Sequence, residues 1–254
     1  MEPITSRQNP HFRRLQDLHK REKRDNSGQF LVEGEKEISL AKVIDVLYYS
    51  EATPFVYEMQ TKCREMIEMS PELLENVSYR RGGLIAVCKA ELAILADLKS
   101  KSLLVACQSI EKPGNLGGIL RTADGAGVEG IIVADPIVDV FNPNVVRASL
   151  GALFTLPIVQ VDSKLAIQFL EEEKMQIVIT TPAATKLYHE VDFTKPTCIV
   201  IGSESQGLSA EWLQNKNYIA VKIPMMGRVD SLNASISASI VIYEALRQRS
   251  ALSR

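Results

Sequence analysis

The sequence predicts an α/β fold built on an open parallel sheet, preceded by a smaller α/β domain. Three observations carry this. From residue 102 onward, short apolar runs at 103–107, 130–134, 157–161, 177–181, 198–202 and 219–223 alternate with helical patterns. Such alternation implies parallel pairing through crossover helices, with both sheet faces covered. The composition, 46% hydrophobic and 24% charged in 254 residues, is that of a folded chain long enough for one large or two smaller cores. Residues 90–101 are partly polar and free of strand signal, which sets a boundary near residue 98 and domains of 1–98 and 99–254.

In chain order, Phe12, Leu15 and Leu18 at helical spacing mark an amphipathic first helix. Phe30-Leu31-Val32 reads as a strand and Glu35–Lys42 as a helix. Val43–Tyr49, rich in β-branched and aromatic residues, reads as a strand. A helix is expected near Lys62–Met69, then a strand over Gly82–Val87. In the second domain Leu116, Ile119, Leu120 and Ala123 form a helical stripe, followed by Gly125-Ala126-Gly127-Val128-Glu129-Gly130. That is a literal G-x-G-x-x-G, but a dinucleotide site needs the strand before the glycines and the helix after them. The order here is reversed, so the glycines read as a helix C-cap and turn. Neither a G-x-x-x-x-G-K-[ST] phosphate loop nor a G-x-S-x-G elbow is present, which removes P-loop and serine-hydrolase readings.

Cys63, Cys88, Cys107 and Cys198 are 25, 19 and 91 positions apart with no C-x-x-C pair. This spacing suits neither a disulfide framework nor a zinc site, so reduced thiols in a cytosolic protein and no metal are expected. No basic segment followed by an apolar one opens the chain, and no run approaches the ~20 apolar residues of a spanning helix. The expected setting is the cytoplasm, with no membrane partner. The formal net charge of −2 conceals unlike parts. Residues 1–24 stand at +4, residues 30–75 at −6, and residues 99–254 balance 15 bases against 15 acids. The basic segment, with Arg13, Arg14, Arg21 and Arg24, reads as a solvated helix face or as an arm that touches a phosphate backbone.

Three segments place polar residues at junctions of the sheet, where open α/β folds bind ligands. In Asn115-Leu116-Gly117-Gly118-Ile119-Leu120-Arg121-Thr122, Asn115 can cap a helix and Arg121 lies off its apolar stripe. In Gly202-Ser203-Glu204-Ser205-Gln206-Gly207, a strand opens into a glycine-bounded loop that carries a carboxylate. In Ile223-Pro224-Met225-Met226-Gly227-Arg228-Val229-Asp230-Ser231-Leu232-Asn233, a strand ends and a loop leads into a helix, with caps available at Asp230 or Ser231. That helix is lined by small residues: Ala234, Ser235, Ser237, Ala238 and Ser239.

Taken in order, the segments resemble the SpoU (TrmH-type) family of RNA ribose 2′-O-methyltransferases of the SPOUT superfamily. They match its N-x-G-x-x-x-R-T, G-S-E-x-x-G and I-P-M-x-G-x-x-x-S-L-N motifs. Val146–Phe154 also looks like the family, and Ser6–Pro10 through Phe30–Gly34 resembles its N-terminal substrate-binding domain. That domain is itself similar to small ribosomal RNA-binding proteins. Ser205 stands where the family often has glycine.

The resemblance implies a deep trefoil knot in the C-terminal domain, a rare exception to the rule against knots. It implies S-adenosylmethionine cradled by Gly202, Ile223, Met225 and Leu232, with Thr180-Thr181-Pro182 a further wall. It implies a homodimer whose Arg121 reaches the partner's site as the base for the 2′-hydroxyl. A guanidinium with a pKa above ~12 is better suited to gripping the nucleotide's phosphate and assisting deprotonation only in the assembled complex than to acting as the base. Asn115, Glu204, Ser231 and Asn233 would orient the ribose, and Arg13, Arg14, Arg21 and Arg24 would meet RNA phosphates. The 2′-hydroxyl requirement selects RNA over DNA, and the N-terminal resemblance favours ribosomal RNA over tRNA. The alternatives are a tRNA 2′-O-methyltransferase and a non-catalytic RNA-binding or ribosome-assembly factor on the same fold. Housekeeping and antibiotic-resistance methylation share this chemistry.

Overall fold

The computed structural model describes residues 2–80 and 82–252. They form two compact units. One comprises the chain up to Glu91 together with Asp139–Phe154, and the other Leu92–Val138 together with the chain from Thr155 onward. The boundary expected near 98 falls inside the second unit. Asp139–Phe154 belongs to the first, against its position in the sequence.

The chain begins with α1 (Pro10–Leu18) and α2 (Arg21–Ser27), then β1 (Gln29–Glu33), α3 (Glu35–Leu40), β2 (Ile44–Tyr49), α4 (Pro54–Met59), β3 (Cys63–Glu68), α5 (Pro71–Val77) and β4 (Leu84–Lys89). Asn9 caps α1 by accepting the His11 N–H at 2.9 Å, with Pro10 at the first helical position. Phe12, Leu15 and Leu18 are buried on one face, as their spacing requires. The four strands lie in the order β1-β4-β2-β3, and only the β2–β3 pair is parallel. The helix expected near Lys62–Met69 is instead the edge strand β3, in register from Ile44↔Cys63 to Tyr49↔Glu68. Its charged residues satisfy helical spacing equally well. One exposed side and a ready partner in β2 decide for a strand, with Ile67 alone buried.

The second unit opens with β5 (Leu103–Gln108), α6 (Pro113–Gly125) and β6 (Gly130–Ala134). Next come α7 (Pro143–Ser149) and α8 (Ala152–Thr155), in the segment that joins the first unit, where Phe141, Val146, Leu153 and Phe154 pack with Phe30 and Leu47. The second unit then resumes through β7 (Ile158–Val161), α9 (Ser163–Glu172), β8 (Gln176–Thr180), β9 (Lys186–Leu187), β10 (Thr197–Ile201), α10 (Ala210–Leu213), β11 (Ile219–Lys222) and α11 (Ala234–Leu252).

All seven strands are parallel, in the order β7-β6-β5-β10-β8-β11-β9. Fully buried Val105, Ile132, Val178 and Ile199 show why these runs are continuously apolar: both sheet faces are covered. The two-residue β9 has too little pattern to be read from sequence. Gly127, at φ +69, turns the chain after α6, so the G-x-G-x-x-G is the expected helix exit. Cys88, Cys107 and Cys198 are buried free thiols, and burial pushes Cys88 and Cys107 up to about 12. Among the described residues no helix is long and apolar enough to cross a membrane.

Candidate active site

The site is built where β5, β10 and β11 hand over to the segments that follow them. Pro113 occupies the first helical position of α6 and Lys112 precedes it as the N-cap residue. Asn115 is therefore not the cap. It sits inside the first turn, buried, with its amide free for tertiary contacts. After β10, Ser203 and Gly207 exchange backbone hydrogen bonds at 3.1 Å each way, and the Gln206 N–H donates to Ser203 Oγ at 3.1 Å. This tight loop presents Glu204 at its tip. A Cβ on Gly202 would lie 2.5 Å from the carbonyl carbon and oxygen of Gly207 and 2.7 Å from Leu208 N. Only glycine lets the loop close on its own strand end.

Asn233, rather than Asp230 or Ser231, caps α11: its Oδ1 accepts Ser235 N–H at 3.0 Å and Ser235 Oγ–H at 2.6 Å. Its Nδ2 donates to Glu204 Oε1 at 2.6 Å and to Asn115 Oδ1 at 2.9 Å. Asn115 Nδ2 donates to the same Glu204 oxygen at 2.8 Å, and Ala234 N–H adds a longer bond of 3.3 Å. One residue from each of the three sequence segments thus closes a single hydrogen-bonded triangle. Lys112 Nζ pairs with the other carboxylate oxygen, Oε2. That bond, with the amide donors, holds the Glu204 carboxyl below its usual range against the opposing effect of desolvation. The Lys112 ammonium is correspondingly raised.

Small residues hold the triangle together. A Cβ on Gly118 of α6 would stand 3.1 Å from the Cβ of Ser235 on α11, and Thr122 and Ser239 share a hydroxyl hydrogen bond of 2.9 Å. The small-residue face of α11 is what brings the two helices this close.

The Arg121 side chain is exposed and, among the described residues, makes no hydrogen bond or ion pair. Ser231 is likewise exposed and outside the triangle. Lys112 was missed from sequence, because nothing local links it to a carboxylate 92 positions away.

The cofactor residues expected from the resemblance follow neighbouring strands. In register, Val200 pairs with Ile179 and Val221 with Thr180. The chain leaving β8 at Thr181, β10 at Gly202 and β11 at Ile223 therefore emerges side by side. Gly202, Ile223, Met225 and Leu232 are each half-buried. Among the described residues, the backbone N–H groups of 225–232 pair with no other backbone group. Half-buried apolar side chains beside unpaired backbone donors and acceptors suit an adenosine with an amino-acid tail, so these residues fit the cofactor.

In the first unit the arginines expected at RNA phosphates differ among themselves. Arg24 is corrected outright. It is 3% exposed, pairs with Asp139 at 2.6 Å, and donates to the carbonyls of Leu18 and His19 at 2.8 Å each. Four of its five N–H donors are engaged and burial keeps the guanidinium from solvent, so the residue is a structural ion pair. Arg14 is half-buried and donates to Gln29 Oε1 at 2.9 Å. Arg21 lies 3.6 Å from Asp25 on an exposed helix face, and Arg13 is exposed.

The fold superimposes on the crystal structure of the SpoU methyltransferase AviRb from Streptomyces viridochromogenes in complex with the cofactor AdoMet. The TM-score is 0.87 at 34% identity, covering 95% of this chain and 98% of that one. Sheet and site together define an α/β methyltransferase of the SPOUT type. The family model described as SpoU rRNA Methylase matches residues 102–243, and the MRM3-like substrate binding domain matches residues 9–83. The 23S rRNA (uridine(2479)-2′-O)-methyltransferase of S. viridochromogenes is 36% identical over 266 residues, 97% of this chain and 92% of that protein. The 23S rRNA (guanosine(2553)-2′-O)-methyltransferase RlmP of Bacillus subtilis is 26% identical over 249 residues, 96% and 98%. The chain belongs to the SpoU rRNA methylase family.

Proposed function

We propose that this protein transfers the methyl group of S-adenosylmethionine to a ribose 2′-hydroxyl of RNA, with ribosomal RNA favoured over tRNA and the cytoplasm as its setting. The observation that carries this reading is the Asn115–Glu204–Asn233 triangle, in which three distant segments meet after the carboxyl ends of parallel strands. The cofactor, when bound, supplies an electrophilic methyl on a sulfonium. Gly202, Ile223, Met225 and Leu232 would hold it through backbone groups and half-buried side chains.

The ribose hydroxyl is a poor nucleophile, so the protein must orient it and ease loss of its proton. Glu204, ionised and fixed by two amides, is a preorganised acceptor that orients the ribose together with Asn115, Asn233 and Ser231. Arg121, whose side chain has no partner among the described residues, grips the nucleotide's phosphate and assists deprotonation in the assembled complex. Ile236 and Tyr243 lie seven positions apart on α11 and are 50% and 51% exposed, an apolar stripe that supports a homodimer. In that dimer Arg121 of one protomer serves the site of its partner.

The test is transfer of a labelled methyl group to ribosomal RNA and to tRNA, with Arg121→Ala alongside. The variant is expected to bind cofactor normally and to lose at least about 100-fold in kcat/KM. Wild-type protein that binds cofactor but methylates neither RNA would replace this reading with that of a non-catalytic RNA-binding factor.

A further inference from the structure

The first unit carries a small cleft whose lining includes Leu31, Glu33, Tyr79, Arg80, Val146 and Arg147. The carboxylate in the lining, Glu33, and the nearby Glu37 are committed inward. Glu33 accepts the backbone N–H groups of Tyr79 at 3.0 Å and Arg80 at 2.7 Å, and buried Glu37 takes Arg80 Nη1 at 2.8 Å.

Arg147 is placed differently. It is exposed, has no carboxylate partner among the described residues, and holds its guanidinium over the Tyr79 ring at 5.3 Å from the centroid. Asn144 Oδ1 accepts one Nη2 hydrogen at 2.9 Å, which fixes the guanidinium while its other donors find no partner among the described residues. The Tyr79 ring is 51% exposed and braced edge-on by His19, with centroids 5.2 Å apart at 70°. His19 is itself anchored, its Nε2 donating to the Val77 carbonyl at 2.8 Å.

An anchored, half-exposed aromatic ring topped by an unneutralised planar cation is a stacking surface for a nucleobase. Unpaired bases offer their faces to such surfaces, whereas bases inside a duplex do not. We propose that the Tyr79–Arg147 cleft is a subsite for one unpaired nucleotide of RNA. Its base stacks on the guanidinium–phenol pair and its phosphate lies within reach of the remaining Arg147 donors. The choice of RNA as occupant rests on the methyltransferase reading above. Tyr79 lies in the stretch matched to the substrate-binding model and Arg147 in the stretch matched to the methylase model, so both parts of the sequence build the subsite. It takes over on the first unit the role that Arg24, locked to Asp139, does not fill.

The experiment is polarisation binding of the full chain to fluorescent octauridylate and to an RNA duplex of the same length, without cofactor. Tyr79→Ala and Arg147→Ala are each expected to weaken octauridylate binding about tenfold and to leave duplex binding unchanged. Tyr79→Phe keeps the ring and stays within about twofold. Arg147→Lys keeps the charge, loses the plane, and falls nearly as far as alanine. Octauridylate affinity unchanged in Tyr79→Ala overturns the proposal. So does Arg147→Lys at wild-type affinity with single strand and duplex weakened alike in Arg147→Ala, the signature of a phosphate contact alone. Methyl transfer by the wild type is read separately, so its absence would refute the functional reading without touching the stacking result.

Discussion

In the first unit the most buried arginine turns inward, Arg24 closing on Asp139 and two carbonyls, while in the second the Glu204 carboxylate turns outward at a loop tip to collect donors from two helices. Both are charge clusters joining distant sequence positions. They differ in what remains open. On Arg24 four of the five N–H donors are engaged in the interior. Glu204 keeps an accessible carboxylate edge, and Arg121, on the same helix as Asn115, has a side chain without a partner among the described residues. A charge buried with its donors turned to interior acceptors holds a fold together, whereas one left accessible can act on a ligand.

Breaking the inward cluster is expected to give the largest effect. Arg24→Ala strands Asp139 as a nearly buried, uncompensated carboxylate and should cost about 3–5 kcal/mol of stability in chemical denaturation. A variant as stable as wild type but weaker on RNA would mean that Arg24 is a ligand contact after all. Glu204→Ala should remain folded and lose about 100-fold in kcat/KM for methyl transfer, since Asn115 and Asn233 lose their common acceptor. Full activity in that variant would dissolve the contrast from the other side.

A subtler change sharpens it. The Glu204 carboxyl is lowered chiefly by its bond from Lys112, so its anion survives into acid and disappears only as pH falls through that depressed pKa. Lys112→Gln removes the main cause of the depression and should move the acid limb of the kcat/KM profile to higher pH. An unmoved limb would show that Glu204 ionisation does not govern the rate. Arg13→Ala, at an exposed residue of α1, is expected to weaken RNA binding only about twofold and to flatten its salt dependence slightly. A tenfold loss there would return the main RNA contact to the basic helices.

The second unit was largely legible in the sequence because its strands are buried on both faces. Their apolar runs coincide with β5, β6, β7, β8, β10 and β11 to within a residue or two. The three members of the hydrogen-bonded triangle were legible for a different reason, since Asn115, Glu204 and Asn233 lie in recognisable motifs. How they meet was not. The cap on α11 falls on Asn233 rather than on the residues before it, and α6 begins at Pro113, two positions ahead of the expected cap. In the first unit local pattern misled at Lys62–Met69, where edge pairing overrode helical spacing. Charge pattern likewise could not separate Arg24 from Arg13, because the partner of Arg24 lies 115 positions away.

The membership of Asp139–Phe154 in the first unit bears on how such a chain can be divided or recombined. A gene fragment ending at Glu91 would encode Phe30 without Phe141 and Phe154, Arg24 without Asp139, and Tyr79 without Arg147. The N-terminal unit is therefore not expected to transfer as one continuous cassette, although its family model covers residues 9–83 alone. Shuffling between relatives would have to carry two separate stretches at once, so the two parts of this gene are expected to be inherited together rather than exchanged.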